Sequence, residues 1–211
     1  MIGLVKKDLL VIKSNLKIIL AVLVALLLLI SQEGGSSAIF ILPIIGVMMF
    51  ISTFSYDEFN NWNSYVVTLP NGRRNAIIAK YIATIIIIVI LSLVSIITTT
   101  GFNYIMNGTI NMTETTTALL GTILSTSILV ALLYPIMIQY GALNGRIIIF
   151  IVVIGIGVIG AILSKYVDVN NLINQINSLE SYGSILVPII SIILLGISYF
   201  ISKKLFQKKE F

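Results

Sequence analysis

The 211 residues are 58% hydrophobic and only 10% charged, whereas a soluble domain averages roughly 25% charged; mean hydropathy is +1.09. So few charges cannot cover a water-facing surface, which excludes a soluble enzyme, a disordered segment and a coiled coil. The net charge of +5 rests on 13 Lys and Arg residues, too few for a nucleic-acid binder, and the chain contains no cysteine and no histidine. Disulfides, Cys-ligated metals and the usual general base are thereby removed. What remains is an all-α, polytopic membrane protein with a single transmembrane domain over residues 1–211.

Residues 1–15 come first. Ile2, Val5, Leu9, Ile12 and Leu16 recur at steps of three and four, one face of a helix. Lys6, Lys7, Lys13 and Lys17 lie largely off that face, which predicts an interfacial elbow helix on the inner leaflet, feeding the first span. Apolar runs at 16–30, 38–54, 76–97, 118–138, 147–163 and 185–201 predict six transmembrane helices, a span needing about 20 residues. Spans one and two then occupy 16–55, spans three and four 76–138, and spans five and six 147–201. Pro43 and Gly46 mark places where the second span can bend.

Charge orients the bundle. With six spans, both termini share a side with the loops at 56–75 and 139–146. That side carries Lys6, Lys7, Lys13, Lys17, Arg73, Arg74, Lys80, Arg146, Lys203, Lys204, Lys208 and Lys209; Lys165 alone falls on the other. The asymmetry predicts cytoplasmic termini, with 202–211 a basic tail, in a multi-pass protein of the plasma membrane. No ionisable residue sits mid-span, which argues against a proton- or sodium-coupled carrier.

The spans carry mild polarity at Ser92, Ser95, Thr122, Ser125 and Thr126. Such hydroxyls serve helix packing by bonding carbonyls one turn back, or line a translocation path; both readings stay open. Gly155, Gly157, Gly160 and Ala161 are small enough for a close helix–helix contact. The outer stretch 165–183 keeps apolar residues at helical spacing, as an amphipathic segment or as a surface loop.

The informative loop is 55–74. Ser55 and Glu58 have capping-box spacing, which predicts a helix with Asp57 and Glu58 in its first turn, where negative charge suits the dipole. Phe59, Trp62 and Tyr65 follow at steps of three, Val66 and Leu69 continue the stripe, and Pro70-Asn71-Gly72 ends it. Such a helix lies in the membrane's aromatic belt or docks its aromatic residues into a partner's groove.

The run Tyr56-Asp57-Glu58, Asn60, Trp62, Tyr65, Leu69-Pro70, Arg73 or Arg74 and Lys80-Tyr81, with the amphipathic start at 1–9 and Lys13, resembles bacterial ABC-2 transporter permeases of the short six-span type. Among these it is most similar to exporters of amphipathic peptides such as phenol-soluble modulins. The resemblance implies a homo- or heterodimer of permeases joined to two cytoplasmic ABC ATPase subunits that hold ATP and Mg. The loop helix would be the coupling helix, with Tyr56, Asp57, Glu58, Phe59, Trp62, Tyr65 and Leu69 against the ATPase. Lys6, Lys7, Lys13, Lys17, Arg73 and Arg74 would sit at the membrane interface. The chain has no G-x-x-x-x-G-K-[ST] run, so neither an enzymatic activity nor a cofactor of its own is expected. Gly155-Ile-Gly157-Val-Ile-Gly160 has G-x-G-x-x-G spacing but no strand before it, and carries no nucleotide site. The competing class is a non-transport membrane scaffold or immunity protein that binds a peptide or membrane partner without ATP.

Overall fold

In hydrocarbon every backbone N–H and C=O must find a partner within the protein, so apolar runs of this length fold as helices. The computed structural model describes residues 1–33, 39–108, 112–163 and 180–209, and no strand occurs among them. The helices are α1 (Ile2–Ser14), α2 (Leu16–Glu33), α3 (Ile41–Phe59), α4 (Trp62–Thr68), α5 (Gly72–Asn107), α6 (Met112–Leu163) and α7 (Glu180–Lys208). The first outer turn and most of the outer 165–183 segment fall on residues 34–38 and 164–179, outside the described residues.

Four stretches are long and apolar enough to cross a membrane: Ile41–Phe59, Gly72–Phe102, Thr115–Val152 and Ile185–Lys208. The pair α1 and α2, bent by 57°, makes a fifth candidate. That bend falls where the sequence places the elbow. Runs four and five of the sequence share one 52-residue element, α6, which is nevertheless no single rod. Gly141 has φ 81° and ψ 175°, and a Cβ on Gly145 would lie 3.4 Å from the Met137 Cα. In a straight helix residues eight apart are separated by about 12 Å. The chain therefore reverses at Gly141, and the loop expected at 139–146 shrinks to this one residue. Along the second arm Ala142, Gly145 and Ile149 are buried, while Leu143, Ile147, Phe150, Ile151 and Ile154 face outward. Within the chain no neighbour lies within 4 Å of a Cβ position on Gly155, and the side-chain surroundings of Gly157, Gly160 and Ala161, the rest of the small-residue contact expected within or between subunits, lie outside the described residues.

Two further expectations change. Pro43 is the third residue of α3, within the first turn, where its missing N–H costs no helical bond and causes no bend; Gly46 instead lies against Leu91. The apolar stripe of α1, expected to lie on the leaflet, turns into the bundle. Ile12 is 2% exposed and Val5 and Leu9 pack against the core.

The core is aromatic. Tyr134 of α6 is buried, with Phe54 of α3 at 5.2 Å and Tyr81 of α5 at 4.7 Å between ring centroids, both edge-on. Tyr199 of α7 stands edge-on to Tyr81 at 5.8 Å. The hydroxyls find partners across helices: Tyr134 with Thr84, and Tyr81 with Ser198 at 2.6 Å and Ser202 at 3.0 Å. Lipid supplies no hydrophobic force between helices, so close packing and such bonds, about 0.6 kcal/mol each, hold a bundle of this kind together.

Candidate functional site at the basic end of the bundle

Nothing after Pro43 breaks α3 until Asn60 and Asn61, so the helix runs beyond its apolar part to Phe59. Asn61 adopts the left-handed conformation at φ 51°, tolerated by Asn because its short polar side chain bonds locally. The chain then turns into the seven-residue α4. Ser55, Tyr56, Asp57 and Glu58 thus occupy the last turns of α3 and not the first turn of the next helix, and the expected capping box does not form. Asn61, the N-cap of α4, makes no side-chain cap bond. Ser55 Oγ donates back to the Ile51 carbonyl and accepts from Arg146 Nη2 at 2.6 Å. Glu58 Oε2 accepts from the Ala142 N–H at 2.6 Å. Glu58 therefore caps a helix, but the one that begins after Gly141, whose free N–H groups attract a carboxylate.

Two carboxylates at the C-terminal end of α3 oppose its dipole, and cations from other helices offset this. Asp57 is gripped by Lys7 of α1 through Oδ1 and by Lys80 of α5 through Oδ2, the latter at 2.6 Å. Asp8 lies 3.1 Å from Lys7 Nζ and 3.6 Å from Lys80 Nζ. Asp8, Asp57 and Lys80 are all buried, and the four charges sum to zero. Lys80 Nζ meets the two acids as a charge and without an aligned hydrogen bond, and lies 4.4 Å over the Phe54 ring. Lys7 Nζ likewise lies 4.9 Å over the Trp62 ring. Burying such a cluster adds little net stability, but removing one member leaves an uncompensated charge in a poorly solvated place. The cluster thus fixes how α1, α3 and α5 meet. It lines one side of a cleft of about 160 Å³ whose other walls are Trp62, Glu58, Met137, Phe206 and Lys209.

The aromatic stripe is divided between two helices. Phe59, ending α3, is 86% exposed and Tyr65 of α4 is 55% exposed. Trp62 is half-buried with its ring 5.2 Å from that of Tyr65. Val66 is fully buried and anchors α4; Leu69 is half-buried. The turn that follows needs its glycine, because a Cβ on Gly72 would sit 1.8 Å from the Val66 carbonyl oxygen.

The remaining predicted residues scatter. Lys6, Lys13, Lys17 and Arg74 are exposed, while Arg73 donates to the Gln207 carbonyl at the end of α7. Tyr56 is exposed beside α1. Ser95, Thr122 and Thr126 are buried. Ser92, Thr122, Ser125 and Thr126 return their hydroxyls to carbonyls of their own helix, and Ser95 donates to Ile39 of the neighbouring segment. Sequence reasoning missed Asp8 and Lys80 as site residues; the one signal was an acid beside the apolar stripe of an otherwise basic helix.

A bundle of long apolar helices, with Lys7, Asp8, Asp57 and Lys80 drawn together at one end, defines a multi-pass α-helical membrane protein. A family model described as ABC-2 family transporter protein matches residues 3–207, and the chain belongs to that family. It is accordingly a membrane component of an ABC transporter, a permease that works with an ABC ATPase and is not itself the catalyst. No curated protein and no solved structure matches the chain.

Proposed function

We propose that this permease crosses the plasma membrane six times with both termini cytoplasmic, pairs with a second permease chain, and exports a hydrophobic or amphipathic substrate, a peptide, using ATP hydrolysed by cytoplasmic subunits. The reversal at Gly141 supports the six crossings, since it makes two antiparallel arms of α6. Within the ABC-2 family, the likeness of the chain to exporters of amphipathic peptides supports the substrate class. Tyr134 and its aromatic neighbours fill the middle of the bundle, which favours a translocation path between two permeases over one through a single chain.

The observation that carries the reading is the mounting of α4. Its approach is held by Asp57 in the ion cluster and by Glu58 on the second arm of α6, and its buried Val66 faces the bundle. Phe59 and Tyr65 are left bare on the outside. A short, firmly seated helix with exposed aromatic residues suits docking into a groove of the ATPase. Aromatic anchors of this kind typically cost 2 kcal/mol or more when cut to Ala, about thirtyfold in affinity.

Co-purification in detergent with the cognate ABC ATPase tests the proposal. Phe59→Ala and Tyr65→Ala should each weaken association by at least tenfold and reduce transport per ATP hydrolysed. Trp62→Phe, which keeps the ring over Lys7, should retain most coupling. Normal association and transport in both alanine variants would overturn the docking role.

A further inference from the structure

We infer that the outward face of α1 is a binding surface for anionic phospholipid headgroups in the leaflet that the basic end of the bundle meets. The charges of α1 are sorted by side. Asp8, its one acid, is buried, and Lys7 turns inward to pair with Asp8 and Asp57. Lys6 and Lys13 point outward, and Lys17 at the start of α2 continues the row. The outward face therefore carries cations with no acid from its own helix among them.

Position places this face at headgroup level. Directly after Lys17 the exposed residues of α2 become Ile18, Leu20 and Val24, a surface that only acyl chains cover well. The 57° bend between the helices turns α1 away from the direction of that apolar surface. Ile2 and Leu10, 86% and 53% exposed, interleave with the lysines, the mixture of apolar and basic groups that lies in a bilayer interface. Gly3, Leu10, Ser14 and Tyr56 line a shallow groove beside Lys6. It is open enough at Gly3 that nothing lies within 4 Å of a Cβ position. A phosphodiester over Lys6 and Lys13, with the Tyr56 ring at the interface, satisfies both the charge and the apolar rim. Each lysine near an anionic surface contributes roughly fivefold in affinity, an effect that salt screens.

The sequence has no cysteine, so Leu10→Cys accepts a single polarity-sensitive dye. The labelled full chain in neutral-detergent micelles is titrated with phosphatidylglycerol, phosphatidylcholine and inorganic phosphate. Phosphatidylglycerol should shift the emission at concentrations at least tenfold below phosphatidylcholine, and 0.5 M salt should erase most of that preference. Inorganic phosphate, lacking acyl chains, should not shift it. Lys6→Gln with Lys13→Gln should lose about tenfold or more of the preference, while Lys6→Arg with Lys13→Arg keeps it; unchanged Trp62 emission reports that each variant is folded. Equal affinity for the two lipids overturns the inference. So does a glutamine variant with unchanged lipid preference but weakened ATPase association, which would assign the face to the ATPase. Neither result bears on Phe59 and Tyr65, so the docking proposal stands or falls separately.

Discussion

The ion cluster invites a double-mutant cycle on Asp57 and Lys80. Asp57→Ala leaves Lys80 Nζ buried, with only the Asp8 oxygen at 3.6 Å as an opposite charge. Breaking a buried pair in this way costs about 3–5 kcal/mol. Lys7, the other cation on Asp57, is a quarter exposed and can turn to water, so the lower end, about 3 kcal/mol, is expected. Lys80→Met strands Asp57 less severely, because Lys7 still grips it, and should cost about 1–2 kcal/mol. The double variant leaves Lys7 and Asp8 as a balanced pair at 3.1 Å. It should therefore be more stable than the sum of the single losses predicts, by about 1–3 kcal/mol. Trp62 is the chain's one tryptophan and lines the cleft beside Lys7, so its emission follows local and global opening as denaturing detergent replaces mild detergent. Losses that add within about 0.5 kcal/mol would show that the four charges act independently and that the cluster does not set the junction of α1, α3 and α5.

Gly141→Ala should lower the melting temperature in detergent. Its backbone lies in a region nearly restricted to glycine, worth about 1–3 kcal/mol of strain, and the new Cβ would come within 2.6 Å of Glu58 Oε1, displacing the cap; an unchanged melt would contradict the reversal there. Tyr81→Phe should cost only about 1 kcal/mol, the two bonds to Ser198 and Ser202 at the usual value within bundles. Tyr81→Ala should cost about 3–5 kcal/mol by opening a cavity against Tyr134. Equal losses for the two, read from the same unfolding curves, would mean that hydroxyl bonding and not ring packing holds the centre.

Much of the architecture is local information. A membrane helix satisfies its own backbone, so hydropathy alone determined that the described parts of the runs at 38–54, 76–97 and 185–201 would be helical, and Pro70-Asn71-Gly72 announced where α4 must end. Family resemblance was likewise readable in the run from Tyr56 to Tyr81. Which face of α1 turns inward was not readable, because lipid and bundle interior are both apolar and a stripe such as Val5, Leu9 and Ile12 suits either. Ser55 and Glu58 carried the spacing of a local cap, yet their partners are Arg146 and Ala142, more than 80 residues away. The deciding quantity there was competition: α3 continued past its apolar stretch and carried the acids to the free N–H groups exposed where Gly141 breaks α6. The meeting of Asp8, Asp57, Lys7 and Lys80 depends in the same way on the rotation and register of three helices. Phe54, Tyr81 and Tyr134 pack α3 and α5 against α6, Val5, Leu9 and Ile12 seat α1 against the core, and no single segment of the chain encodes the result.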